Sequence, residues 1–283
     1  MPSTLIRPAS HRSTRHAGAR LAAIALILAT AFLSPAASAE TLTERLKAPD
    51  QAAMEFTLQL VMASGPEGAK SLSSEENLAR IKTVGEMKQL LDESTYTDAE
   101  ITHLLGSCET AATIVRALMM YGNAPTNAEE LKSPDFLRRT QEGMAANIGR
   151  FDAQMAELMP LALRCKVPAV KTLQNQVSTQ PSEEENAPRD ALLKARAELS
   201  HAYESGLIVL GSAAAGEQLR QSIATALEET ASSYASALDL AKRHSIATRI
   251  REMAEKAEPG ARDGLGRMAE AFEITSCTGL CTY

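Results

Sequence analysis

Between Leu137 and Cys165 the apolar residues Leu137, Met144, Ile148, Phe151, Met155, Leu158, Ala162 and Cys165 recur at steps of seven, four, three, four, three, four and three. Steps that alternate three and four keep one stripe of a helix apolar and do not suit the period of two of a half-buried strand. The pattern predicts one long helix with a coiled-coil seam. It is launched at Ser133-Pro134-Asp135, a capping serine, a first-position proline and an acid on the positive end of the dipole. Pro160 lies inside that helix and is expected to kink its last turns by removing a backbone donor.

Similar spacing recurs on both sides. Ile101, Leu104, Leu105, Cys108, Ala112, Val115 and Met119 mark a helix over 98–121, and Thr97 with Glu100 in front of it forms a capping box. Ser73 with Glu76 predicts the same device at the start of a helix over 74–92. Pro49-Asp50 is read as the opening of a further segment. In the C-terminal part, helices are expected over 189–210 and from 217 onward. The apolar phase shifts at Ser245, which predicts a break there, and Pro259-Gly260 reads as a turn before a short helix over 261–275. Aromatic residues make up only 4 % of the chain and Trp is absent, which withdraws the residues that strands favour. The expected fold is all-α, a multi-helix bundle of antiparallel helical hairpins with disulfides. A polar, acidic, proline-bounded segment at 176–188 is read as a linker between an N-terminal helical half, 40–175, and a C-terminal half, 189–283.

Residues 1–39 read as an address. Arg7, Arg12, Arg15 and Arg20 precede a 13-residue apolar run, Leu21 to Leu33, and Ala37-Ser38-Ala39 offers a small-residue cleavage site before Glu40. These are the three parts of a secretory signal peptide. The run is shorter than the ~18–20 residues that a spanning helix needs, so no stable membrane anchor is expected after cleavage between Ala39 and Glu40. The mature chain is then periplasmic or secreted. Of the 29 basic and 35 acidic residues, the leader removes four basic ones and no acid, leaving 25 against 35, a net charge of about −10. Nucleic acid is an unsuitable partner for such a surface. The basic run Lys242-Arg243-His244 reads as a solvated helix face.

Four cysteines, Cys108, Cys165, Cys277 and Cys281, all lie in the mature part. An even number in an exported chain predicts disulfides, with Cys108–Cys165 and Cys277–Cys281 as the first pairing because short loops close at the least entropic cost. On one long hairpin, however, Cys108 and Cys165 would stand at different heights. The alternative for Cys277-Thr-Gly-Leu-Cys281 is a pair of thiolates for a soft metal such as copper.

One chemical constellation remains to be weighed. Glu100 with His103 and Glu198 with His201 repeat Glu-x-x-His, the spacing used by carboxylate-bridged di-metal bundles. At 100° per residue, His103 falls about 160° and His201 about 180° from the apolar seams of their helices. Both pairs are therefore expected to face outward rather than into a core. A surface metal site, for zinc or copper, at His201 and Glu204 is the residual possibility. No G-x-S-x-G, H-E-x-x-H, Walker loop or dinucleotide-binding glycine pattern occurs. The reading is thus a non-enzymatic binding module with a protein partner and no cofactor. A metal or small-molecule handling protein, using Cys277 and Cys281 or His201 and Glu204, is the alternative.

Overall fold

A computed structural model describes residues 41–91, 96–123, 129–179, 186–274, 276 and 281, and the expected leader lies outside them. The described residues are helical and contain no strand, so the all-α expectation holds. In chain order the helices are α1 (Leu42–Met62), α2 (Gly65–Leu72), α3 (Glu75–Gly85), α4 (Asp98–Met119), α5 (Pro134–Arg150), α6 (Asp152–Arg164), α7 (Lys166–Thr179), α8 (Asn186–Leu210), α9 (Glu217–Ala237), α10 (Leu240–Lys256) and α11 (Pro259–Glu273). Residues 42–283 form one compact unit in which α6 packs against α3, α4 and α9. The expected 176–188 linker is partly helical: 176–179 end α7 and 186–188 open α8, while 180–185 lie outside the described residues.

Local signals place some helix ends well and others badly. Before α4 the capping box forms as expected, with the Glu100 amide donating to Thr97 Oγ1 at 3.3 Å and the Thr97 amide donating to Glu100 Oε2 at 2.9 Å. At α3 the cap is Ser74, not Ser73: the Asn77 amide donates to Ser74 Oγ. Ser73 Oγ instead accepts from the buried Gln154, which also donates to the Leu72 carbonyl. Helix α1 starts seven residues before Pro49, whose ring packs inward beside Leu46, Ala52, Ala53 and Phe56. Pro259 is the first residue of α11 rather than a turn, a position where its missing N–H costs nothing.

The long seam is divided just after Gly149 rather than at its proline. Helix α6 continues through Pro160, and the chain breaks instead at Phe151, with φ −110° and ψ 30°. As a result α5 and α6 do not share one apolar face. Leu137, expected on the seam, is 57 % exposed, and its neighbour Phe136 is buried in its place. The corner is held against the end of α4. Asn147 donates to the carbonyls of Met119 and Tyr121, satisfying the end of α4, and the Tyr121 and Phe151 rings meet edge-on at 5.4 Å. Gly122 follows with φ +72°, a conformation that suits glycine.

This corner also explains the disulfide. Cys108 and Cys165 are bonded, with their Cα atoms 5.7 Å apart. Measured from the contact between Tyr121 and Phe151, Cys108 lies 13 residues back and Cys165 lies 14 residues on. At 1.5 Å per residue these arms are about 20 and about 21 Å long, so the two sulfurs arrive level. The height mismatch belonged to an unbroken helix.

The break expected at Ser245 lies upstream, at Leu238 and Asp239. Asp239 caps α10 by accepting from the Lys242 amide at 2.8 Å, and the shift of apolar phase follows from that corner. Arg243, expected on a solvated face, is 3 % exposed. Its guanidinium donates to the carbonyls of Leu238, Ile274 and Ser276, and so ties the corner to the tail beyond α11. Burial lowers its pKa, and the charge of Asp239 works against that shift. Nearby, Tyr203, Tyr234 and Phe272 pack with ring centroids 4.8 to 5.0 Å apart. The buried hydroxyls of Tyr203 and Tyr234 donate to the carbonyls of Leu227 and Leu163.

Candidate functional site

The residues singled out from sequence do not converge on one metal centre. His103 Nε2 lies 3.0 Å from Asp50 Oδ2 on α1, so its partner comes from a neighbouring helix, not from Glu100. Glu100 is occupied with Thr97, whose hydrogen bonds hold its carboxyl below the usual value. His201 and Glu204 diverge as well: Glu204 accepts from Lys242 Nζ at 3.2 Å, while His201 faces a cleft. Cys281 is disulfide-bonded, so it offers no thiolate for a metal, and Cys277 lies outside the described residues. Among the described residues no group of three or more His, Cys, Asp and Glu side chains is arranged around a metal position.

The cleft that His201 faces has a volume of about 550 Å³ and lies between α4, α6, the start of α7 and α8. Its floor is apolar, with Val115, Met119, Met159, Ala162 and Leu163. One wall carries a closed set of charges. Glu109 Oε1 accepts from Arg116 Nη2 at 2.5 Å, and Glu109 Oε2 lies 3.5 Å from Lys166 Nζ. Burial works to raise the Glu109 carboxyl, but the Arg116 hydrogen bond and the charge of Lys166 outweigh it, so the group is held below its ordinary value. The opposite wall, on α8, presents Glu198 and His201 one turn apart, and neither makes a hydrogen bond or ion pair among the described residues. The Cys108–Cys165 bond sits directly behind this site, since Glu109 and Lys166 each follow one of its cysteines. The two elements that carry the charged triad, α4 and the start of α7, are thereby joined covalently.

A second surface is formed by α1. Its inner face is buried through Leu42, Leu46 and Phe56, and its outer side carries Met54, Leu58, Val61 and Met62, each more than half exposed and Val61 78 % exposed. At 100° per residue these four lie within an arc of about 100°. Beside them runs a groove of about 520 Å³ between α1 and α4, with Thr57, Gly106, Ser107 and Thr110 along it and the Asp50–His103 pair at one end. The other exposed large apolar residues, Leu137, Leu193, Ile208, Leu240 and Ile274, are scattered over the remaining elements. Scattered apolar residues are ordinary on a protein surface, whereas a contiguous stripe marks an interaction site.

No family model, curated protein or solved structure matches this chain. No helix among the described residues is long and apolar enough to cross a membrane.

Proposed function

We propose that this chain is an exported, non-enzymatic binding module of the periplasm whose outer α1 face docks an amphipathic helix of a partner protein. The observation that carries the reading is the stripe Met54, Leu58, Val61 and Met62 beside the α1/α4 groove. Apolar residues at i, i+4, i+7 and i+8 match the ridge that one helix presents to the groove of another, and recognition of this type is read through such anchors. Charge decides the kind of helix. With 25 basic and 35 acidic residues after the leader, the chain attracts a partner with a basic polar face and repels a second copy of itself. The Cys108–Cys165 disulfide suits an oxidising compartment, in line with the leader.

The test uses the full chain with a photo-crosslinking residue at Leu58 or Val61 and, as a control, at the exposed Leu240. The expected result is a periplasmic adduct from α1 alone, whose crosslinked segment is a basic amphipathic helix on sequencing by mass spectrometry. A crosslink between two copies of the chain, or the same adducts from Leu240, overturns the assignment. Recovery of the protein with its first 39 residues still attached overturns the export reading.

A further inference from the structure

The cleft between α4, α6 and α8 is separate from the α1 face, and its charges are divided in a way that α1 does not share. On the α4 and α7 side, Arg116 and Lys166 share the single carboxylate of Glu109, which leaves that wall with a net charge of +1. On the α8 side, Glu198 has no partner among the described residues and contributes −1. Between the two lies an apolar floor that includes Val115, Met119 and Met159. A site with a cationic wall, an anionic wall and an apolar floor complements a molecule with the same three parts.

We propose that this cleft binds an apolar zwitterion, a free amino acid with an apolar side chain or a short apolar peptide. The ligand carboxylate lies against Arg116 and Lys166, its ammonium against Glu198, and its apolar body on the floor. The cations retain capacity for this: a guanidinium has five N–H donors and an ammonium three, and only Nη2 of Arg116 is engaged, by Glu109 and by Thr113 Oγ1. The volume of about 550 Å³ falls within the ~300–1,000 Å³ of small-molecule sites. Charge-assisted hydrogen bonds to both ends fix the orientation, and the disulfide behind Glu109 and Lys166 holds the cationic wall in place before the ligand arrives.

The experiment is calorimetric titration of the oxidised, mature protein with leucine and with the tripeptide Leu-Gly-Leu, each also in N-acetylated and C-amidated form. Saturable binding of one of the free zwitterions is expected, and the better of the two identifies the source. Blocking either end should weaken it at least about tenfold, the worth of one hydrogen bond to a charged group. Glu198→Gln should reproduce the loss for the ammonium end and Arg116→Gln the loss for the carboxylate end. Glu142→Gln, on the exposed face of α5, should leave binding unchanged, and an unaltered melting temperature shows that each variant is folded. Absence of binding by both zwitterions, or equal affinity for the free and acetylated forms, overturns the proposal. Neither result bears on the helix-docking reading, which rests on α1.

Discussion

Two apolar surfaces of similar chemistry meet opposite fates in this molecule. Around Tyr203, Tyr234 and Phe272 the side chains are almost wholly buried, the rings pack at 4.8 to 5.0 Å, and both hydroxyls find a backbone carbonyl. Along the outer side of α1, Met54, Leu58, Val61 and Met62 lie open beside a groove. Side-chain size and apolarity do not separate the two, although the first is drawn from α8, α9 and α11 and the second from α1 alone. The difference is whether another element of the same chain covers them. The first surface stabilises the fold; the second is left uncovered by the other described elements.

Substitutions can break or sharpen that contrast. The largest effect is expected from Tyr234→Ala, which removes a fully buried ring and its hydroxyl's hydrogen bond to the Leu163 carbonyl. A loss of about 5 kcal/mol in urea-induced unfolding is expected, the upper end for large aromatic truncations. A smaller effect should appear with alkali. Burial raises the pKa of both Tyr203 and Tyr234 far above the ordinary 10.0, with smaller contributions from Glu228 at Tyr203 and from Tyr203 at Tyr234. Folded-state values above the unfolded ones give stability that is complete below pH 10.0 and declines above it, as the unfolded chain ionises and the folded one does not. Unfolding free energy should therefore fall by up to ~1.4 kcal/mol per pH unit for each tyrosine, and Tyr203→Phe with Tyr234→Phe should remove that decline. The smallest effect is expected on α1: Leu58→Ser should change stability by no more than about 0.5 kcal/mol while abolishing the crosslink to a partner. A large destabilisation would mean that the stripe is core after all.

How much was legible beforehand follows the range of the forces involved. The Thr97–Glu100 box could be read because both groups belong to one turn. The break at Phe151 could not, because it is imposed by Asn147 reaching the end of α4 and by Tyr121 packing on Phe151, contacts between residues about 30 positions apart. Missing that break placed Leu137 on the wrong side and made the Cys108–Cys165 pairing look strained. Pro160 misled in the opposite sense, since a buried ring well packed within α6 makes up for one lost hydrogen bond. Asp239 offered a readable cap that the apolar phase alone overlooked. The outward phase of Glu198 and His201 was legible from helical geometry. Their place on a cleft was not, because the opposite wall comes from α4 and the start of α7.

Arg243 carries a consequence for how the protein comes into being. Its buried guanidinium depends on the carbonyls of Ile274 and Ser276, residues that follow α11. A chain emerging from N- to C-terminus presents the first of those acceptors 31 residues after the arginine, so α10 cannot settle its cation until the segment beyond α11 has followed. A product cut short after Glu273 retains α1 to α11 but leaves the buried Arg243 guanidinium with only the Leu238 carbonyl of its three acceptors. The segment beyond α11 is thus written into the stability of the α9–α10 corner, and a copy cut short before it is more exposed to the proteases that clear unfolded chains.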